Sequence, residues 1–158
     1  MSDCIVRYAK EWELSRVNEL RSQVNAIHAK GEPKIFLPGL GNEMKYFIFK
    51  VFENEKSDVI VAVIDGIIRG FVTVEYINKE MSPYSKKRKY YHIVELGVDS
   101  AFRRMGVASK IIDFCKQEAK TKGFDRVELD VWEFNEDAME FYDTVGFKTY
   151  RRYLEMDI

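Results

Sequence analysis

Val94-Glu95-Leu96-Gly97-Val98, followed five residues later by Arg103-Arg104-Met105-Gly106-Val107-Ala108, is the pair of segments from which the architecture can be read. The apolar run Tyr90–Val98 reads as a strand. Gly106–Lys122 reads as an amphipathic helix, with Val107, Ile111, Ile112, Cys115 and Ala119 on its apolar face. A strand that feeds a Gly/Ala-bearing loop and then a helix N-terminus is a cradle for phosphate. The first N–H groups of a helix have no intrahelical partner, and the helix dipole adds partial positive charge at that end. Arg103 and Arg104 add full charges there. Gly97, inside an otherwise bulky strand, marks a bulge or a close approach to a ligand. Strand amides freed there can pair with an extended, amide-rich ligand. A pyrophosphate at one end and a peptide-like arm along a strand describe coenzyme A.

Before this centre, Cys4–Ala9 reads as a strand. Glu11–Ala29 reads as a helix, because Leu14, Val17, Leu20, Val24 and Ile27 recur at steps of three and four. Gly31, Pro33, Pro38, Gly39 and Gly41 break the chain, and Asn42 is placed to cap a second helix to about Glu53. That segment is apolar nearly all round, so a strand is an open alternative. Val59–Ile64 and Ile67–Tyr76 read as a hairpin turned at Asp65-Gly66. Lys79–Lys89, with Lys86-Lys87-Arg88-Lys89, reads as a mobile polar connection. Beyond the centre, Arg126–Val131 reads as a strand, Asn135 caps a short helix that ends at Gly146, and Phe147–Met156 reads as a closing strand. The order predicts a mixed α/β domain.

The 158 residues, with Lys+Arg 25 against Asp+Glu 26, predict one domain with a sizeable core and argue against a general nucleic-acid binder. No run reaches membrane-spanning length, and Met1–Lys10 has no signal-peptide pattern. Two distant cysteines and two histidines make a disulfide framework or a metal site improbable. A reducing cytoplasm is the expected compartment.

Arg103-x-x-Gly106-x-Ala108 after Val94–Val98 resembles the acetyl-CoA-binding motif of the GCN5-related N-acetyltransferases (GNAT). Asn135, Ala138 and Phe141-Tyr142-Asp143-x-Val145-Gly146-Phe147 are similar to that family's closing segment. The likeness covers Tyr90–Met156; residues 1–80 agree only in their order of elements. The resemblance implies a single-domain GNAT fold over residues 1–158, a mixed and mostly antiparallel sheet flanked by helices. It implies a cofactor-binding core at about 90–156 and an acceptor-shaping region at about 11–56. It also implies acetyl-CoA as co-substrate, no metal, an amine acceptor on a small molecule or protein, and a homodimer as one option. Leu96, Gly97 and Val98 would pair with the pantetheine arm. Arg103, Arg104, Met105, Gly106, Val107, Ala108 and Ser109 would surround the pyrophosphate, and Asn135 would contact the arm from the other side.

Direct attack of an amine on the thioester, in a ternary complex, needs three things. The amine must lose a proton, since a lysine-like amine has a pKa of about 10.4. The leaving sulfur must gain one, and the oxyanion wants a fixed donor, for which a strand N–H near Leu96 or Gly97 is the natural candidate. The resemblance implies Tyr142 as the acid, against a reading in which it only packs beside Phe141. Glu95 is the first candidate base, Asp130 its rival, and ordered water the third option. His28 and the Tyr46-Phe47-Ile48-Phe49 stripe read first as structure and second as acceptor-site groups. A non-catalytic acetyl-CoA sensor of the same fold is the alternative function.

Overall fold

The computed structural model describes residues 3–158. Its centre is a five-stranded sheet in the order β1-β2-β3-β4-β5. The strands are β1 (Cys4–Tyr8), β2 (Ser57–Ile64), β3 (Ile67–Lys79), β4 (Arg88–Val98) and β5 (Val127–Leu129). β1 to β4 are antiparallel neighbours, and β5 joins β4 in parallel. The helices are α1 (Leu14–Gly31), α2 (Asn42–Glu53), α3 (Val107–Thr121) and α4 (Glu136–Thr144).

The two faces of β2 show how the layers form. Val59, Val61 and Val63 point to one side and pack with Leu14, Val17 and Leu20 of α1 and Ile48 of α2. Ile60, Ala62 and Ile64 point to the other and pack with Val107, Ile111, Ile112, Cys115 and Ala119 of α3. A strand covered on both faces reads as a continuous β-branched run. Burying each such side chain contributes about 1.5–3 kcal/mol. The hairpin turn falls at Asp65-Gly66, where φ is 51° and 76°, as a type I′ turn requires.

Several boundaries differ from expectation. Residues 11–13 form a separate 3-10 turn before α1. Gly41, not Asn42, is the N-cap of α2. β3 and β4 run on to Lys79 and from Arg88, so the connection is shorter and more ordered than its composition indicated. β5 spans three residues instead of six.

The closing strand over Phe147–Met156 does not form; no regular element follows α4. A strand needs an edge to pair with. The open edge, β5, is short, and the segment meets it through the Tyr150 hydroxyl on Glu128 Oε1 at 2.7 Å. Tyr153, Leu154 and Met156 are left exposed.

Candidate active site

The site begins where two strands part. β5 pairs with β4 through Tyr91, His92 and Ile93 and no further. From Val94 onward, the β4 edge on that side faces a cleft. The bulge expected at Gly97 lies instead at Val94. Thr73 of β3 faces Glu95 and Val74 faces Ile93, so Val94 has no opposite residue. The Glu95 N–H then reaches the Thr73 side-chain oxygen at 3.2 Å. Gly97 itself is paired normally with Phe71. It is glycine because α1 comes close: a Cβ there would lie 2.6 Å from Val24 Cγ2 and 2.7 Å from Phe71 Cε1.

The cleft leads to the N-terminus of α3. Asp99 anchors the turn between them. Its carboxylate accepts from Arg16 at 2.9 Å and Arg69 at 3.1 Å, and these hydrogen bonds, against the cost of burial, hold its pKa below the usual range. Arg103, Arg104, Met105 and Gly106 are exposed, while Val107 turns into the core. Arg104 and Gly106 both have left-handed backbone, at φ 62° and 83°. Gly106 is the N-cap of α3 and no side chain caps the helix. The first-turn amides of Val107, Ala108 and Ser109 are therefore open to a ligand. A Cβ at Gly106 would meet nothing within 4 Å, so the space above it is free. The Arg103 Nε donates to Val98 O at 3.3 Å, and Arg104 lies 3.9 Å from Asp137 at the start of α4. Open amides and two arginines at one helix N-terminus have the donors and charge that an anion such as pyrophosphate needs.

α4 supplies the far wall. Asn135 Oδ1 caps it by accepting from Ala138 N at 3.3 Å, as its position predicts, which leaves the Asn135 amide nitrogen available. Tyr142 is half-buried against Phe141 and Phe147, with ring centroids 5.4 Å and 5.6 Å away. Burial alone pushes its phenol up to about 12. Asp130 is exposed one residue beyond β5.

Glu95 does not meet a lysine or bare solvent. Arg21 of α1, only 1% exposed, grips both its oxygens at 3.0 Å. No pattern in the sequence marks that pair, because its members lie 74 residues apart. His28 is nearby on α1; burial lowers its pKa and the charge of Glu95 pulls the other way. Its ring stacks on Phe36 at 5.0 Å and sets its edge to Phe134 at 6.1 Å, and Phe36 meets Trp132 at 5.1 Å. These rings join the α1–α2 connection to the segment after β5. Gly31 allows it: a Cβ there would lie 2.1 Å from the Phe134 ring. From the stripe on α2, Ile48 is core, while Tyr46 and Phe47 are exposed.

Other groups stay outside the site. Arg88 and Arg126 share Glu128, at 2.9 Å and 3.1 Å. Cys115 is buried, and burial pushes its thiol up to about 12. Among the described residues, no three His, Cys, Asp or Glu converge to hold a metal. No helix there is long and apolar enough to cross a membrane.

Known proteins share this fold. The acetyltransferase (GNAT) family profile matches residues 29–147. A thialysine N-epsilon-acetyltransferase of Caenorhabditis elegans is 28% identical over 108 residues, 66% of this chain and 67% of that one. The crystal structure of a tetramutant of the BH1408 protein from Bacillus halodurans superposes with a TM-score of 0.90 at 28% identity, covering 98% of this chain and 99% of that one. An aminoglycoside N-acetyltransferase, AAC(6')-Iy, solved in complex with CoA, shares the fold, with a TM-score of 0.79 at 17% identity over 100% of this chain and 96% of that one.

Proposed function

Because this chain belongs to the GNAT acetyltransferase family and is an acyltransferase, we propose that it moves the acetyl group of acetyl-CoA directly to a primary amine bound on the α1–α2 side of the cleft. The observation that carries this reading is the continuous path from the unpaired β4 edge, Val94–Val98, to the uncapped N-terminus of α3 at Gly106. Leu96, Gly97 and Val98 offer strand amides and carbonyls to the pantetheine arm. The amides from Arg104 to Ser109 take the pyrophosphate, with Arg103 and Arg104 adding charge. Asn135 closes the arm from α4.

The acceptor must arrive, lose a proton and attack. Its lone pair forms a bond to the thioester carbonyl carbon, and the strand N–H groups near Leu96 and Gly97 hold the oxyanion. As the C–S bond breaks, the sulfur takes the Tyr142 proton. A phenol whose burial keeps it neutral well above pH 7 is suited to that donation. Glu95, gripped by Arg21, serves to hold the ammonium. Before attack the ammonium gives one proton through water toward Asp130, which stands exposed just beyond β5; after attack the nitrogen gives its second proton through water to the Tyr142 phenolate, which restores the neutral phenol. The thialysine-acetylating relative supports an aliphatic amine of lysine type as acceptor.

The test is thiol release from acetyl-CoA with lysine, thialysine, spermidine and kanamycin as acceptors. Release that depends on one of these amines, with the acetylated product seen by mass spectrometry, is the expected result. Binding of acetyl-CoA without acceptor-dependent release would overturn transfer and leave the sensor reading.

A further inference from the structure

Arg21 is a fully buried cation on the acceptor side of the cleft, and its contacts reach three elements. Nε and Nη2 hold the Glu95 carboxylate of β4. Nη1 donates to Asn18 Oδ1 on α1 at 2.9 Å and to Met44 O in the first turn of α2 at 2.5 Å. The Phe47 ring lies 5.9 Å from the guanidinium carbon. Asn18 continues the link by donating to Lys45 O at 3.1 Å. Glu95 keeps 21% of its side chain open while Arg21 keeps 1%, so the pair can be reached through the carboxylate and not through the guanidinium.

Stability alone does not call for this arrangement. Replacing a buried ion pair by packed apolar side chains is often neutral or stabilising. What the guanidinium supplies is geometry: a rigid fork fixes a carboxylate in one orientation, which an ammonium group on a flexible stem does not. The fork also sets the register of α1 and α2 against the strand that presents the reacting groups.

We propose that Arg21 is a positioning residue for acetyl transfer, holding Glu95 in the one orientation that docks the acceptor amine and tying the acceptor-side helices to β4. This role rests on the acetyl-transfer reading above. It concerns the acceptor alone, because the pyrophosphate cradle and Tyr142 lie on other elements.

Arg21→Met, Arg21→Lys and Glu95→Gln test it in steady-state assays with acetyl-CoA and whichever panel amine the unaltered protein acetylates fastest. A misplacement of about 1 Å costs roughly 100-fold in rate. Arg21→Met should therefore lose about that much kcat/KM for the amine, with the acetyl-CoA dissociation constant, measured by calorimetry, within about twofold of the parent. Arg21→Lys should recover part of the loss, and Arg21→Met combined with Glu95→Gln should be no worse than either alone. If Arg21→Met does not fold, the comparison of Arg21→Lys with Glu95→Gln decides. Variants that melt earlier yet keep the parent's amine KM and kcat while folded would overturn the role and make Arg21 structural. No turnover of any amine by the unaltered protein would overturn the transfer reading, and this role with it.

Discussion

Val24 of α1 lies directly over Gly97 of β4, so close that a Cβ on residue 97 would come within 2.6 Å of Val24 Cγ2. The glycine brings α1 down onto the strand, and α1 in turn carries Arg21 and His28 to the cleft. Gly97→Ala should thus act before any ligand binds. Overpacking of this kind costs about 1–3 kcal/mol, and thermal unfolding of the ligand-free protein should show it. An unchanged midpoint would mean that Val24 and Phe71 yield, and would return Gly97 to a purely cofactor-based explanation.

Gly106 should behave in the opposite way. Nothing in the protein crowds it, but its φ of 83° is left-handed and the open space above it is the proposed pyrophosphate site. Gly106→Val combines a backbone cost of about 1–2 kcal/mol with an obstruction of the cradle. Calorimetry should show acetyl-CoA affinity falling by at least tenfold, roughly 1.4 kcal/mol, beyond any change in stability. Parent-like affinity would place the phosphates elsewhere.

Tyr142 is predicted to be the acid that protonates the departing sulfur. Tyr142→Phe keeps the contacts to Phe141 and Phe147 and removes the hydroxyl. General acid catalysis contributes about 100-fold or more, so kcat should fall by that order while acetyl-CoA binding stays nearly intact. Burial has pushed the phenol up to about 12. The parent's rate should then show no loss at pH 10, where an ordinary tyrosine gives up its proton. A Tyr142→Phe variant with parent kcat would remove the residue from the reaction.

The start of α3 at Gly106 was legible in the sequence because its parts are local. Arg103 to Ser109 are consecutive, and an uncapped helix start is a property of a few residues in a row. Asn135 was legible as a cap for the same reason. Glu95 was legible as a residue but not as a partner: period-2 alternation says which side of a strand a side chain leaves, and nothing about Arg21, 74 residues away. The ring cluster of His28, Phe36, Trp132 and Phe134 joins two loops whose meeting is set by the packing of α1. The packing reason for a glycine at 97 was not legible, because a missing side chain looks the same whether a ligand or a helix needs the space. Phe147–Met156 has the composition of a strand, but pairing belongs to two segments and composition to one.

The Tyr76 hydroxyl is within hydrogen-bonding distance of both Asp58 on β2 and Glu118 on α3, and the Tyr91 hydroxyl donates to Glu118 at 2.7 Å. Tyr76 has one hydrogen to offer two carboxyl groups, and a proton on one of them relieves the conflict. Asp58 is the group whose pKa is raised, by burial and then by the charge of Glu118, against the Tyr76 hydrogen bond and Lys122. Unfolded, Asp58 gives up its proton near the ordinary value of about 3.9; folded, it keeps it to higher pH. The folded chain binds more protons across that interval, so this group's contribution is fully present below the ordinary value and is lost as pH rises through the raised one. Glu13, Asp99 and Glu128, with lowered pKa values, have the opposite sign and lose their contribution on acidification. Asp58→Asn preserves a polar partner for Tyr76 and removes the titration, while those three groups are common to both proteins and cancel in the difference. The unfolding midpoint of the parent, relative to Asp58→Asn, should therefore decline as pH is raised from 4 to 8. A difference that does not change with pH would show that no proton is held between Asp58 and Glu118.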